Sequence, residues 1–248
     1  MSEIVIMLIV LLIGLITGFF DSIIGAGGLI SVPSLIFLGL PPQVAIATDR
    51  LGTIGQSFAS LVKFWKAKKI VWKYVPAFAI ISLAGSLIGA SILLNINPQT
   101  IQIIVGILLI ILLPLVLFKQ KIGIKKIRTT KPRILIGLTL YFLIMIFAGF
   151  FGQGTGPLIF YTLTFFLGFT MIEVLATGSI SWLVLSVSSL IIFALSGIVD
   201  YKIGIVLLVG MAIGGYIGAH VALKKGNLWI KRVFVLFVII SVVKLLFF

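Results

Sequence analysis

The chain has 248 residues, of which 61% are hydrophobic, and its 19 basic residues outnumber 5 acidic ones, giving a formal net charge of +14. Apolar runs of membrane-spanning length recur from end to end, which excludes a soluble globular domain and indicates an all-α polytopic membrane protein. Cysteine is absent, which excludes disulfides, thiol catalysis and iron–sulfur clusters, and a single histidine leaves little material for a metal site. We therefore expect no enzyme activity, no metal and no cofactor.

Ten apolar segments follow one another along the chain. Their rough limits are 4–20, 22–40, 43–65, 74–94, 100–118, 134–151, 155–172, 174–196, 203–223 and 228–248. Segments two and seven each begin in a glycine-rich break, which leaves fewer than the ~17 residues of clean helix that a span needs. Each of these two segments is either a broken span or a re-entrant hairpin.

The two glycine-rich breaks are the most polar stretches inside apolar sequence. The first is Gly18-Phe-Phe-Asp-Ser-Ile-Ile-Gly-Ala-Gly-Gly-Leu-Ile-Ser-Val-Pro33, and the second is Gly149-Phe-Phe-Gly-Gln-Gly-Thr-Gly-Pro-Leu-Ile159. In lipid, freed backbone groups must find other partners, so such stretches lie inside protein or line a polar cavity. Two breaks at matching places predict a substrate site between them, and close helix packing through glycine is the alternative.

The two halves of the chain repeat at an offset of 129 residues. Gly27 aligns with Gly156 and Thr48 with Thr177, and further matches continue without a gap as far as Ile88-Gly89-Ala90 with Ile217-Gly218-Ala219. A constant offset of this kind predicts a duplicated five-segment unit. We divide the chain into a first transmembrane repeat at 1–118, a basic linker at 119–133 and a second repeat at 134–248.

The charges of the loops indicate how the halves are related. Basic residues concentrate in the loops at 63–73, 119–133 and 224–232. If all ten segments span, these loops share one side, which the positive-inside rule makes cytoplasmic. We therefore favour five plus five spans with inverted topology in the plasma membrane. The alternative is four plus four spans with two re-entrant hairpins and parallel halves. The positive charge then serves orientation and contact with the lipid bilayer, and no nucleic-acid partner is expected.

Glycines spaced four residues apart occur in segments four and nine. They are Gly85 with Gly89 and Gly214 with Gly218. This spacing lets two helix backbones approach closely, so we expect these glycines to hold the halves together. The contact lies within one chain or between subunits, which leaves a homo-oligomer open.

Four charged residues interrupt the apolar runs, where a charge is costly. They are Asp21, Asp49, Arg50 and Glu173. Arg50 beside freed backbone N–H groups suits an oxyanion, and an ion pair with Asp21 or Asp49 is the alternative. Asp21 and Asp49 are candidates for carrying a coupling proton, because a buried carboxyl group can hold a proton near neutral pH. Glu173 is expected to lie at the membrane interface.

The candidate substrate site collects the glycine breaks, Arg50 and nearby polar side chains. Its members are Gly25, Gly27, Gly28, Thr48, Arg50, Gln56, Gln153, Gly154, Thr155, Gly156 and Thr177. Helices starting at Gly27-Gly28 and Gly156-Pro157 would point partial positive charge at a small anionic substrate. Ser22, Ser57 and Ser179 are further hydroxyl candidates, although such hydroxyls often bond their own backbone.

The motifs just described resemble those of a known family. The first glycine break and Leu38-Gly-Leu-Pro-Pro-Gln-Val-Ala-Ile-Ala-Thr-Asp-Arg-Leu51 are similar to the TauE/SafE family of sulfite-exporter-like permeases, in its YfcA-like branch. Asp49 is a departure, because an asparagine or serine would be expected after the threonine. The resemblance covers the whole chain and implies transport of a small sulfur-containing or organic anion such as sulfite, thiosulfate or a sulfonate, with proton coupling as a driving force. A passive anion channel and a non-transporting scaffold are the alternatives.

Overall fold

The computed structural model describes residues 2–95, 97, 123–152 and 155–247. Within them the helices, numbered in chain order, are α1 Glu3–Ile24, α2 Gly28–Phe37, α3 Pro42–Lys66, α4 Val75–Asn95, α5 Lys131–Phe151, α6 Gly156–Phe166, α7 Met171–Leu195 and α8 Tyr201–Phe247. A single 3₁₀ turn, Trp72–Tyr74, precedes α4. These ranges contain no β-strand, so the predicted all-α class is confirmed. The fifth predicted segment, 100–118, lies outside the described residues.

Five of the described helices are long and apolar enough to cross a membrane. They are Glu3–Ile24, Trp72–Asn95, Lys131–Phe150, Met171–Leu195 and Tyr201–Leu236. The helices of segments two and seven are short, as predicted, since α2 has 10 residues and α6 has 11. At 1.5 Å per residue each extends about 15 Å, or half of the hydrocarbon thickness.

The last helix, α8, is broken where the sequence predicts the boundary between segments nine and ten. Gly226 adopts φ 80° and ψ 177°, which is not helical and which glycine reaches without steric penalty. The break separates a helix at 201–225 from one at 227–247. Asn227, next to the break, accepts a hydrogen bond from the backbone N–H of Ile172 at 2.9 Å and donates to the carbonyl of Ile124 at 3.2 Å.

The glycines spaced four apart are close-packing positions, as predicted. Along α8, a Cβ placed on Gly210 would lie 2.6 Å from the carbonyl oxygen of Leu11, and Gly214 and Gly218 lie against the backbones of Leu15 and Phe19 in the same way. Because the residue numbers of these contacts increase together along both helices, α1 and the first part of α8 run parallel. Gly85 and Gly89 of α4 pack likewise against α5. Each contact joins one half of the chain to the other.

Contacts between loops and helix starts show which elements share an end of the molecule. The stretch before α8 contacts the starts of α1 and α3, since Lys202 pairs with Glu3 and the Asp200 N–H donates to Thr48 Oγ1 at 3.0 Å. Therefore α1 and α3 begin at the same end. Gly52 packs on Leu207 and Gly215 on Gln56, which makes α3 parallel to α8 as well.

The opposite end of the molecule gathers the described basic loops. Lys126 of the linker forms an ion pair of 2.9 Å with Glu173 at the start of α7, and Asn227 binds the same region. The loop after α3 reaches there too, because the Val71 N–H donates to Thr177 Oγ1 at 3.0 Å. Glu173 also forms a capping box with Thr170, which gives it a structural role at the start of α7, and its place at the membrane interface stays a prediction.

Candidate functional site

The first glycine break is closed by the chain's own carboxylate. Helix α1 ends at Ile24, and Gly25 takes the left-handed conformation with φ 68°. Asp21, in the last turn of α1, accepts a hydrogen bond from the Gly27 N–H at 2.8 Å. A Cβ on Gly27 would lie 2.7 Å from Asp21 Cβ, so this position needs glycine. The positive helix end predicted to face an anion is therefore capped by Asp21, which lies 3% exposed.

The second break lacks such a carboxylate among the described residues. Gly152 has φ 101°, and Thr155 Oγ1 donates to the Gly152 carbonyl at 3.4 Å. Helix α6 begins at Gly156 with Pro157 in its first turn, where no N–H is required. At the offset of 129 residues, Phe150 occupies the place of Asp21. The predicted site residues Gln153 and Gly154 lie outside the described part of the chain.

The two breaks meet, as the sequence predicts. A Cβ on Gly25 would lie 3.5 Å from Gly156 Cα, and a Cβ on Gly156 would overlap the Gly25 carbonyl. A side chain at Gly156 would therefore push the breaks apart. Gly28, at the start of α2, is buried beside the first break.

Arg50 lies at the second break and is completely buried, with 0% exposure. Its Nη2 donates to the carbonyl oxygens of Ala148 at 2.9 Å and Gly149 at 2.8 Å, in the last turn of α5. Its Nε and Nη1 have no hydrogen-bond partner among the described residues. A Cβ on Gly152 would lie 3.7 Å from Nη1, so the guanidinium borders the break itself.

The alternative of an ion pair does not describe Arg50. Within the described ranges, no carboxylate oxygen lies within 4.0 Å of its nitrogens, and the ion pairs found there are Lys126–Glu173 and Lys202–Glu3. Asp49, which precedes Arg50 in the sequence, is also buried. The Thr53 hydroxyl lies 3.5 Å from Asp49 Oδ2 and donates to the main-chain carbonyl of Asp49 at 3.0 Å. Adjacent residues on a helix point about 100° apart, which separates the two charged groups.

A small cavity of ≈ 30 Å³ lies between the two halves, next to the first break. It is lined by Asp21, Ser22, Gly25, Gln56, Ser60, Phe64, Gly156, Ile159, Phe160, Val174, Leu175, Gly178, Ser179 and Trp182. Of the predicted residues, six come together here: Asp21, Ser22, Gly25, Gln56, Gly156 and Ser179. The volume suffices for one or two water molecules, so an organic anion does not fit in this conformation.

Ser60 and Trp182 are among the cavity residues that sequence reasoning did not select. Ser60 follows Gln56 by four residues on α3, and Trp182 follows Ser179 by three residues on α7. A spacing of three or four residues from a polar site candidate is the signal that places them on the same helix face.

Thr48 and Thr177 do not line this cavity. Each hydroxyl oxygen accepts a backbone N–H from the other half, from Asp200 and from Val71 respectively, both at 3.0 Å. The two pairs are related by the repeat offset, since 48 and 71 become 177 and 200 on adding 129. These threonines therefore join the halves through two equivalent hydrogen bonds.

Comparison with known proteins identifies the family. The sequence matches the family described as "Sulfite exporter TauE/SafE" over residues 10–245. A "Probable membrane transporter protein" from Haemophilus influenzae is 25% identical over 235 residues, covering 95% of this chain and 92% of the relative. The "Probable membrane transporter protein YfcA" of Escherichia coli is 28% identical over 241 residues, covering 95% and 87%.

A third relative, the "Probable membrane transporter protein YunE" of Bacillus subtilis, is 29% identical over 241 residues, covering 87% of this chain and 88% of the relative. No solved structure matches the chain. With apolar helices that can span a bilayer and a family match over nearly its whole length, the chain belongs to the TauE/SafE sulfite exporter family of membrane transporters.

Proposed function

We propose that the protein is a secondary transporter that moves a small sulfur-containing or organic anion, such as sulfite or a sulfonate, across the plasma membrane by alternating access. The observation that carries this proposal is Arg50, a buried guanidinium at the junction of the halves whose Nε and Nη1 have no described partner. An uncompensated charge in a membrane interior costs several kcal/mol. An anionic substrate at the second break would offset that cost and use the remaining N–H groups.

The chemistry of the second break favours an oxyanion. A guanidinium donates to carboxylate, sulfite or sulfonate oxygens through several N–H groups in a fixed plane. The start of α6 adds the partial positive charge of a helix N-terminus, which has no side-chain cap in the structure. Thr155 stands at that terminus and is buried, so its hydroxyl is a further group available to the substrate. Thr48 and Thr177 would serve by holding the two halves around the site, and Gln56 by joining α3 to α1 through its hydrogen bond to Ser22 Oγ at 2.8 Å.

The inverted arrangement of the halves is part of this proposal. The starts of α1 and α3 share one end of the molecule, which requires the chain to cross back through α2. The pairs Thr48–Asp200 and Val71–Thr177 make α3 antiparallel to its counterpart α7. Both features support ten crossings with inverted repeats over parallel halves with re-entrant hairpins. The shared end of the basic loops is then cytoplasmic.

Transport assays on Arg50 test the anion site. In proteoliposomes, Arg50→Gln should reduce uptake of the transported anion about 10- to 100-fold, the equivalent of losing one charge-assisted interaction. Arg133→Gln is the matched control, because Arg133 also donates to a backbone carbonyl, that of Phe165, but lies at the start of α5 away from the breaks. A thermal-shift panel of sulfite, thiosulfate, sulfonates and carboxylates identifies the anion beforehand.

The outcomes separate this proposal from its alternatives. Unchanged uptake by Arg50→Gln refutes the anion site, and ionic currents faster than a carrier's turnover indicate a channel. Absence of both transport and any anion-dependent thermal shift indicates a scaffold. Labelling of single cysteines at positions 97 and 225 tests the topology, since inverted ten-span halves place these exposed positions on opposite sides.

A further inference from the structure

The cavity beside the first break combines one carboxylate with several uncharged polar groups. Five of its lining residues are polar, and they come from α1, α3 and α7: Asp21, Ser22, Gln56, Ser60 and Ser179. The Asp21 carboxylate is the only charged group among the described lining residues. At ≈ 30 Å³ the space matches a single small ion or one to two waters.

Two of the three serine hydroxyls of the cavity direct their protons away from it. Ser60 Oγ donates its proton to the Ser57 carbonyl at 3.2 Å, and Ser179 Oγ donates to the Ala176 carbonyl at 2.8 Å. A serine hydroxyl has one proton, so these two oxygens have only lone pairs left, of which Ser60 uses one to accept from Gln56 Nε2 at 3.5 Å. An anion would meet lone pairs here, whereas a cation would meet ligands.

The end of α1 contributes negative potential at one wall of the cavity, whereas the start of α6 at Gly156, with its partial positive charge, forms part of another wall. Helix α1 ends at the cavity wall, and Gly25 is its C-terminal cap. The last carbonyls of a helix carry partial negative charge. In transporters with broken helices, such C-terminal ends and unwound carbonyls coordinate the coupling ion. The Asp21 carboxylate in the last turn reinforces this charge.

The internal repeat supplies an independent comparison. Subtracting 129 from Ala148 and Gly149 gives Phe19 and Phe20, so the carbonyls that Arg50 binds in the second half correspond to the end of α1. Adding 129 to Arg50 gives Ser179, which lines the cavity. The second break therefore has the guanidinium of Arg50 at the place where the first break has the hydroxyl of Ser179 and open space.

The residues next to these positions also differ in charge between the two copies of the repeat. Asp49 corresponds to Gly178, where a Cβ would meet nothing within 4 Å, and Asp21 corresponds to the apolar Phe150. The second break holds a cation that belongs to the chain, and the first break holds a carboxylate beside an equivalent space. The positive charge at the second break thus indicates that the equivalent space at the first break accommodates a positive charge.

We propose that the cavity binds a dehydrated monovalent cation, Na⁺, which accompanies the anion during transport. This inference rests on the proposed anion transport for its role, although Na⁺ binding is measurable without it. A proton would need a single acceptor, whereas this cavity directs oxygens from three helices at one space. One carboxylate neutralises a single positive charge, and a carboxylate attracts the smaller Na⁺ more strongly than K⁺.

Binding of Na⁺ to the purified full-length protein tests the proposal directly. Thermal unfolding is followed in detergent with NaCl replacing choline chloride at constant ionic strength and pH. We expect a saturable rise in melting temperature with Na⁺, as mass action requires for a ligand of the native state, and a smaller rise with K⁺. Asp21→Asn should weaken the Na⁺ response at least about tenfold. The asparagine oxygen can still accept the Gly27 N–H, which preserves the cap.

Two further variants keep the test valid if Asp21→Asn fails to fold. Ser179→Ala removes one oxygen, and Ser60→Ala removes another; each should shift the Na⁺ titration to higher concentration. Ser189→Ala is the matched control, because Ser189 is the repeat counterpart of Ser60, is buried, and donates to the Leu185 carbonyl at 2.8 Å without lining the described cavity. It should leave the Na⁺ response unchanged.

The possible outcomes decide between this site and others. No stabilisation of the wild-type protein by Na⁺ overturns the proposal, and a response to pH alone that Asp21→Asn abolishes assigns the cavity to a proton. A Na⁺ response that survives the Asp21 and Ser179 changes also overturns it, because the ion then binds elsewhere. Stabilisation by the anion, and its loss in Arg50→Gln, are measured in parallel. Failure of the anion site is therefore distinguished from failure of the Na⁺ site.

Discussion

Replacing Thr48 or Thr177 with valine should loosen the junction between the halves. Valine has nearly the same shape as threonine but cannot accept the N–H of Asp200 or Val71, whose hydrogen bonds measure 3.0 Å. A buried donor left without a partner costs about 1–3 kcal/mol, and because the donor residues Asp200 and Val71 are only partly buried we expect about 1–2 kcal/mol for each variant. The two bonds share no partner, so the losses in the double variant should add.

Thermal unfolding in detergent measures these losses. For a chain of this size, 1 kcal/mol corresponds to a shift of about 2–4 °C in melting temperature. Thr164→Val is the matched control: this buried hydroxyl donates to a carbonyl of its own helix, Phe160, at 2.6 Å, so its removal leaves no N–H unpaired. If Thr48→Val and Thr177→Val cost no more than Thr164→Val, or if one costs much more than the other, the proposed equivalence of the two bonds is refuted.

Further predictions concern packing and the linker contact. Gly18→Val should prevent stable folding, because a Cβ at this position would lie 2.8 Å from a backbone Cα of α8. Gly178→Ala should fold normally, because its Cβ would meet open space, and should weaken Na⁺ binding. Expression yield and gel filtration check the folding of both variants, and the Na⁺ titration checks the binding. Thr170→Ala should cost about 1 kcal/mol through loss of the α7 cap. Lys126→Ala should cost less than about 0.5 kcal/mol, because the Lys126 side chain of this ion pair is 64% exposed. Equal costs for these two variants would contradict this ranking.

Part of the candidate site could be predicted from the sequence. Asp21, Gly25, Gln56 and Gly156 were predicted from the breaks and do meet at one cavity. Arg50 was predicted as a buried cation near a break, and it is buried at the second one. Which break it serves was not predictable, because the choice depends on how α3 is rotated against α5.

The sequence by itself determined the helical class, the limits of the apolar segments, the glycines that pack the halves together and the 129-residue offset, because run length, spacing and repetition are properties of the linear chain. Only the tertiary structure decided which polar groups meet. Asp21 folds back on Gly27, Thr48 and Thr177 bind backbone across the halves, and Ser60 and Ser179 surround the cavity. In an apolar membrane interior every polar group needs a hydrogen-bond partner. The linear sequence offers each group several equally suitable partners. The rotation and approach of the helices in three dimensions select one.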